Sequence, residues 1–130
     1  MTKNNRDDYR DITNLCQEIC ILSGKFLSAC IKSAMEAEYG DRAYKVLQEL
    51  DAERVALLHS NGEPALPILL HSSSFDELGM KDSAKVLNYL PKVQDLMCKR
   101  FGLDEWQCGM AQYLARSLAL LRNTVAHAAE

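Results

Sequence analysis

Near one end of the chain an arginine, an asparagine and a histidine stand close together, in Leu120-Leu121-Arg122-Asn123-Thr124-Val125-Ala126-His127. Arginine offers phosphate a bidentate fork, and histidine titrates near neutrality and can move protons. An amide between them can orient a ring. At about 100° per residue on a helix, Leu118, Leu121 and Val125 fall on one narrow stripe. Arg122 lies about 40° from Leu118, at the edge of that apolar face, where a charge needs an anion, a carboxylate or water. Arg116, Asn123 and His127 share a polar stripe roughly opposite Leu118. Plainer roles are also open to these residues: Arg122 as the partner of a neighbouring carboxylate, and His127 as an exposed residue favoured by the C-terminal end of a helix dipole.

The five cysteines, Cys16, Cys20, Cys30, Cys98 and Cys108, carry less chemistry. Their count is odd, and the first residues, Met1-Thr-Lys-Asn-Asn-Arg-Asp-Asp, lack the apolar stretch of a secretory signal. The expectation is reduced thiols in a cytoplasmic protein, buried as small hydrophobes. Cys16 and Cys20 are one helical turn apart, but no CxxC pair occurs and His59 and His71 lack ligand-like spacing. No metal site and no cofactor are expected.

The elements that must position these residues read as helical almost throughout. Ile12, Leu15, Ile19, Leu22, Phe26, Cys30 and Ala34 recur at spacings of three and four, so one long helix is expected over 7–39. Gly24 weakens its middle and Gly40 supplies its stop. Asp41 is the expected N-cap of a second helix, with Tyr44, Leu47, Leu50 and Leu58 facing the core and Glu49, Asp51, Glu53 and Arg54 on a solvated face. Asn61-Gly-Glu-Pro-Ala-Leu-Pro67 is a loop. A short helix or turn follows, with Ser74 and Glu77 at capping-box spacing. Val86, Leu87, Leu90, Val93, Leu96 and Met97 form a third stripe that Pro91 must kink or restart, with Gly102 at its end. Asp104 and Gln107 open the last helix, whose stripe is Met110, Leu114, Leu118, Leu121 and Val125. The chain is therefore expected to be a single all-α domain over 1–130, a bundle of about four long helices.

Composition narrows the functions. The chain has 130 residues, 48% of them hydrophobic, with a net charge of −3, so one packed core is within reach. No run of about 18 apolar residues exists to span a membrane. Residues 41–80 hold seven acids against three bases, whereas 81–130 hold seven bases against five acids. That balance excludes a broad basic footprint for long nucleic acid and leaves room for a short, local contact.

The segment from Leu121 to His127 resembles the signature of the HEPN superfamily (higher eukaryotes and prokaryotes nucleotide-binding domains). That signature is an arginine, often followed by asparagine, and a histidine after four to six intervening residues. The resemblance implies a small all-α domain and metal-independent endoribonuclease activity on single-stranded RNA, in toxin–antitoxin biology or antiviral defence. It assigns His127 as general acid/base, Arg122 as the group holding the scissile phosphate, and Asn123 as an orienting residue. Arg116, with Lys92, Lys99 and Arg100, could line an RNA cleft. Because one motif supplies one histidine and one arginine, the resemblance also implies a homodimer whose two motifs share a composite cleft, and an antitoxin or regulatory partner. One toxin branch carries a tyrosine two residues after the histidine, the target of a partner nucleotidyltransferase. Here Ala129 takes that place. The competing reading is a non-catalytic helical module that binds nucleotide or a protein partner.

Overall fold

The computed structural model describes the backbone of residues 5–128; side chains at 5–7, 9, 20, 111, 115, 118–119, 121–123 and 125–128 fall outside the described residues. The chain folds as an all-α bundle, without a strand among the described residues. Helix α1 (Asn5–Tyr39) leads through a 3-10 turn (Gly40–Arg42) into α2 (Ala43–Ser60). A loop with a second 3-10 turn (Phe75–Glu77) precedes α3 (Met80–Tyr89), α4 (Pro91–Phe101) and α5 (Glu105–Ala128).

The third apolar stripe is split into two helices at Pro91, which takes the first turn of α4, where its missing N–H leaves no bond unmade. Leu90 joins the two, donating its N–H to the Val86 carbonyl and accepting from the N–H of Val93. Gly102, at φ 66°, lets the chain turn back after α4 in the left-handed conformation a glycine adopts without strain. Asp104 and Gln107 then form a reciprocal capping box, Gln107 N–H to Asp104 Oδ1 at 2.7 Å and Asp104 N–H to Gln107 Oε1 at 3.0 Å.

Two expected caps differ. Asp41 lies inside the 3-10 turn, and Arg42 occupies the N-cap of α2 without a side-chain cap. The tighter turn after Gly40 moves the helix start beyond Asp41. In the later loop Glu77 is engaged by Ser73 rather than Ser74, accepting its N–H at 2.7 Å and its hydroxyl at 3.0 Å.

The core lies between the second half of α1 and α2, α3 and α4, around the fully buried Ile31, Met35, Leu47, Val86 and Val93. Ser28, buried on α1, donates to the Phe75 carbonyl and fixes the second 3-10 turn against that helix. Tyr44 meets Phe75 edge-on, with ring centroids 5.1 Å apart at 82°. Gly24 allows a close approach: a Cβ there would stand 3.0 Å from the backbone nitrogen of Met80 at the start of α3.

The expected stripe of α1 is not buried along its length. Cys30 and Ala34 reach the core, but Ile12, Leu15, Ile19, Leu22 and Phe26 are between 44% and 68% exposed. The apolar side chains that the fold does bury on this helix lie in its second half, at Ile31, Ala34 and Met35. On α5, Met110 (40%) and Leu114 (54%) are likewise exposed, as are Trp106 and Tyr113.

Cys98 and Cys108 form a disulfide, which corrects the expectation of thiols throughout. The reversal at Gly102 brings the end of α4 beside the start of α5, with the two Cα atoms 6.3 Å apart. Cys16 and Cys30 are free, and burial pushes the Cys30 thiol pKa up. The bridge removes the thiol argument for a reducing compartment. No helix among the described residues is long and apolar enough to cross a membrane.

Candidate functional site

Arg122, Asn123 and His127 occur in the last turns of α5, so the motif is helical as its spacing requires. Their side chains lie outside the described residues. Helical geometry alone makes Asn123 and His127 neighbours, four residues apart. Within the motif, Thr124 donates its hydroxyl to the Leu120 carbonyl at 3.0 Å, the back-bond by which a mid-helix threonine satisfies itself. Arg116 is exposed on the same helix.

The other basic residues named with the motif have different settings. Lys99 Nζ pairs with Glu38 Oε2 at 3.3 Å, and Arg100 Nε donates to Ser33 Oγ at 3.0 Å. Both therefore tie the end of α4 to α1. Lys92 is exposed in the first turn of α4.

A second polar constellation was not expected. Asp51, assigned from sequence to a solvated face, is 2% exposed. Its Oδ1 accepts the N–H of Ile68 at 3.1 Å and its Oδ2 that of Leu69 at 3.0 Å, so one carboxylate organises the loop after the two prolines. Two backbone donors satisfy a buried carboxylate far better than water-poor surroundings alone could.

Arg54, one turn further along α2, donates through Nη2 to the Leu66 carbonyl at 2.7 Å and lies 3.5 Å from Asp51 Oδ1. Its guanidinium carbon stands 5.7 Å from the centre of the Tyr89 ring. Its Nε is buried and meets no hydrogen-bond partner among the described residues. The helix period contained the signal for this site: Tyr44, Leu47 and Asp51 stand at i, i+3 and i+7, which puts Asp51 on the apolar stripe.

The same acids act on Tyr44. Burial first, then the charges of Glu77, Asp51 and Asp82, push its phenol pKa above the ordinary value. Among the described residues no three His, Cys, Asp or Glu side chains gather as a metal-ligand set.

The sequence matches no protein-family model, and neither the curated proteins nor the solved structures yield a significant match.

Proposed function

We propose that this chain is a metal-independent endoribonuclease that cleaves single-stranded RNA through Arg122, Asn123 and His127. The observation that carries the reading is the Arg-Asn-x3-His spacing on the last helix of a small all-α bundle. In this reading the 2′-hydroxyl attacks the adjacent phosphorus, the bond from phosphorus to the 5′-oxygen breaks, and the proton passes to that leaving oxygen. The products are a 2′,3′-cyclic phosphate and a 5′-hydroxyl end. Arg122 binds the phosphate as negative charge builds, His127 transfers the proton, and Asn123 orients the imidazole.

One histidine does not readily serve as base and acid in a single step, so the active form in this reading is a homodimer with two motifs facing one cleft. The uncovered apolar stripe of α1 supports it: Ile12, Leu15, Ile19 and Leu22 are exposed at helical spacing, the pattern of a helix that packs on another chain. A defence or toxin–antitoxin setting, with an antitoxin or regulatory partner, belongs to the same reading. So does Arg116 as an RNA contact.

The test is cleavage of a labelled single-stranded RNA in EDTA, with the new ends analysed for cyclic phosphate. His127→Ala should lower the rate by about 10²- to 10⁴-fold and Arg122→Ala by about 10²- to 10³-fold. Undiminished cleavage by folded His127→Ala, or a requirement for divalent metal, would defeat the assignment in favour of a non-catalytic module.

A further inference from the structure

A cleft lies between α2, the loop at 61–71 and α3. It has a volume of about 550 Å³, within the range of small-molecule sites. Three basic side chains line it, Arg54, Lys81 and Lys85, with Asp82 as the acid beside them. Lys81, Lys85 and Tyr89 follow one another at four-residue intervals, so they run along one face of α3.

Arg54 is fixed from behind. The Leu66 carbonyl holds its Nη2, and Tyr89 flanks its guanidinium. Asp51 compensates its charge only in part, because both carboxylate oxygens already accept backbone N–H groups and the contact to Arg54 is 3.5 Å long. A charge-assisted bond of full strength is about 2.7–2.9 Å. The cleft thus keeps a positive excess. Its remaining wall is apolar, with Leu66 at 74% and Leu70 at 55% exposure beside Pro64 and Pro67. Tyr89 is 56% exposed, so part of its ring is open to a ligand.

We propose that this cleft binds a small organic phosphate carrying a planar ring, its phosphate on Lys81 and Lys85 and its ring against Tyr89 and the proline-rich loop. The cations supply the anion site, and the aromatic and apolar wall rewards a ring more than a bare ion. None of the described residues lining the cleft belongs to α5. Ligand binding there is read out without any RNA cleavage, so it is tested apart from the proposed nuclease reading.

Calorimetric titration of the intact chain with 5′-AMP, phenyl phosphate and inorganic phosphate tests this. Both ring-bearing phosphates should bind saturably with Kd below about 1 mM, and inorganic phosphate more weakly. The double variant Lys81→Gln/Lys85→Gln should weaken both by about tenfold or more, the effect of losing a charge-assisted contact. Tyr89→Leu should reduce 5′-AMP and phenyl phosphate to the affinity of inorganic phosphate. These positions are exposed or half-buried, and thermal melts establish that the variants fold. Absence of saturable binding, or unchanged affinity in the folded lysine variant, overturns the site. Equal affinity for all three probes overturns the assignment of a ring-bearing ligand.

Discussion

Asp51 accepts the backbone N–H of Leu69 at 3.0 Å across eighteen positions of sequence, and thereby sets the path of the loop over α2. Its other oxygen does the same for Ile68. Removing the carboxylate strands two backbone donors and deprives Arg54 of its acid. Asp51→Ala should cost about 3–5 kcal/mol, as the loss of one partner of a buried charge network does. The expected fall in the thermal midpoint is about 10 °C or more. Asp51→Asn retains one acceptor and should cost less, about 1–3 kcal/mol. Denaturant melts of the two variants measure the order, and a neutral Asp51→Ala would refute the role.

How far the sequence disclosed this arrangement depends on the range of the interaction. The Asp104–Gln107 box was legible because both partners lie within one turn. Pro91 and Gly102 punctuate the chain through their own backbone preferences, which no tertiary contact reverses here. Asp51 was misread as solvated because its partners, Ile68 and Leu69, come from a loop whose position no local pattern reveals. Asp41 lost its expected capping role to a 3-10 turn, a competing local structure of similar energy. The α1 stripe teaches a different lesson. Periodicity identified its apolar residues correctly, but periodicity does not say whether the same chain covers them.

Gly24 and Gly109 should respond oppositely to the same substitution. In a helix interior Gly→Ala gains about 0.5–1 kcal/mol from backbone entropy alone. At Gly109 on α5 nothing among the described residues lies within 4 Å of an added Cβ, so Gly109→Ala should stabilise by about that amount. At Gly24 the new methyl would meet Met80 backbone nitrogen at 3.0 Å and Cα at 3.2 Å, and neither can rotate away. Overpacking costs about 1–3 kcal/mol, so Gly24→Ala should be destabilising overall. Paired chemical denaturation curves separate the two signs.

Alkaline pH should weaken the fold through Tyr44. Its phenol pKa is raised in the folded chain by burial and by the Glu77, Asp51 and Asp82 charges, whereas the unfolded chain releases the proton near pH 10. Between those two values the folded state holds more protons than the unfolded one. Stability contributed by this group is therefore complete below about pH 10 and declines as pH rises beyond it. Urea midpoints measured from pH 8 to 11 should fall, and Tyr44→Phe should flatten the decline. An equal slope in that variant would assign the effect to other groups.

The α1 stripe supplies the sharpest test of assembly. Ile19 and Leu22 are 44% and 58% exposed, so charge at these positions meets water in a single chain and should barely change its stability, by about 0.5 kcal/mol. In a dimer that covers the stripe, Ile19→Glu with Leu22→Glu places two desolvated, like-signed charges against each partner. Such charges disfavour association strongly. Sedimentation equilibrium should show a dimer for the parent chain and a monomer for the double variant, with unchanged helicity by circular dichroism. RNA cleavage should disappear together with the dimer, since each half of the composite cleft would then hold a single histidine. A monomeric parent that cleaves RNA in EDTA would remove the need for two motifs. A double variant that stays dimeric would move the interface away from this face of α1.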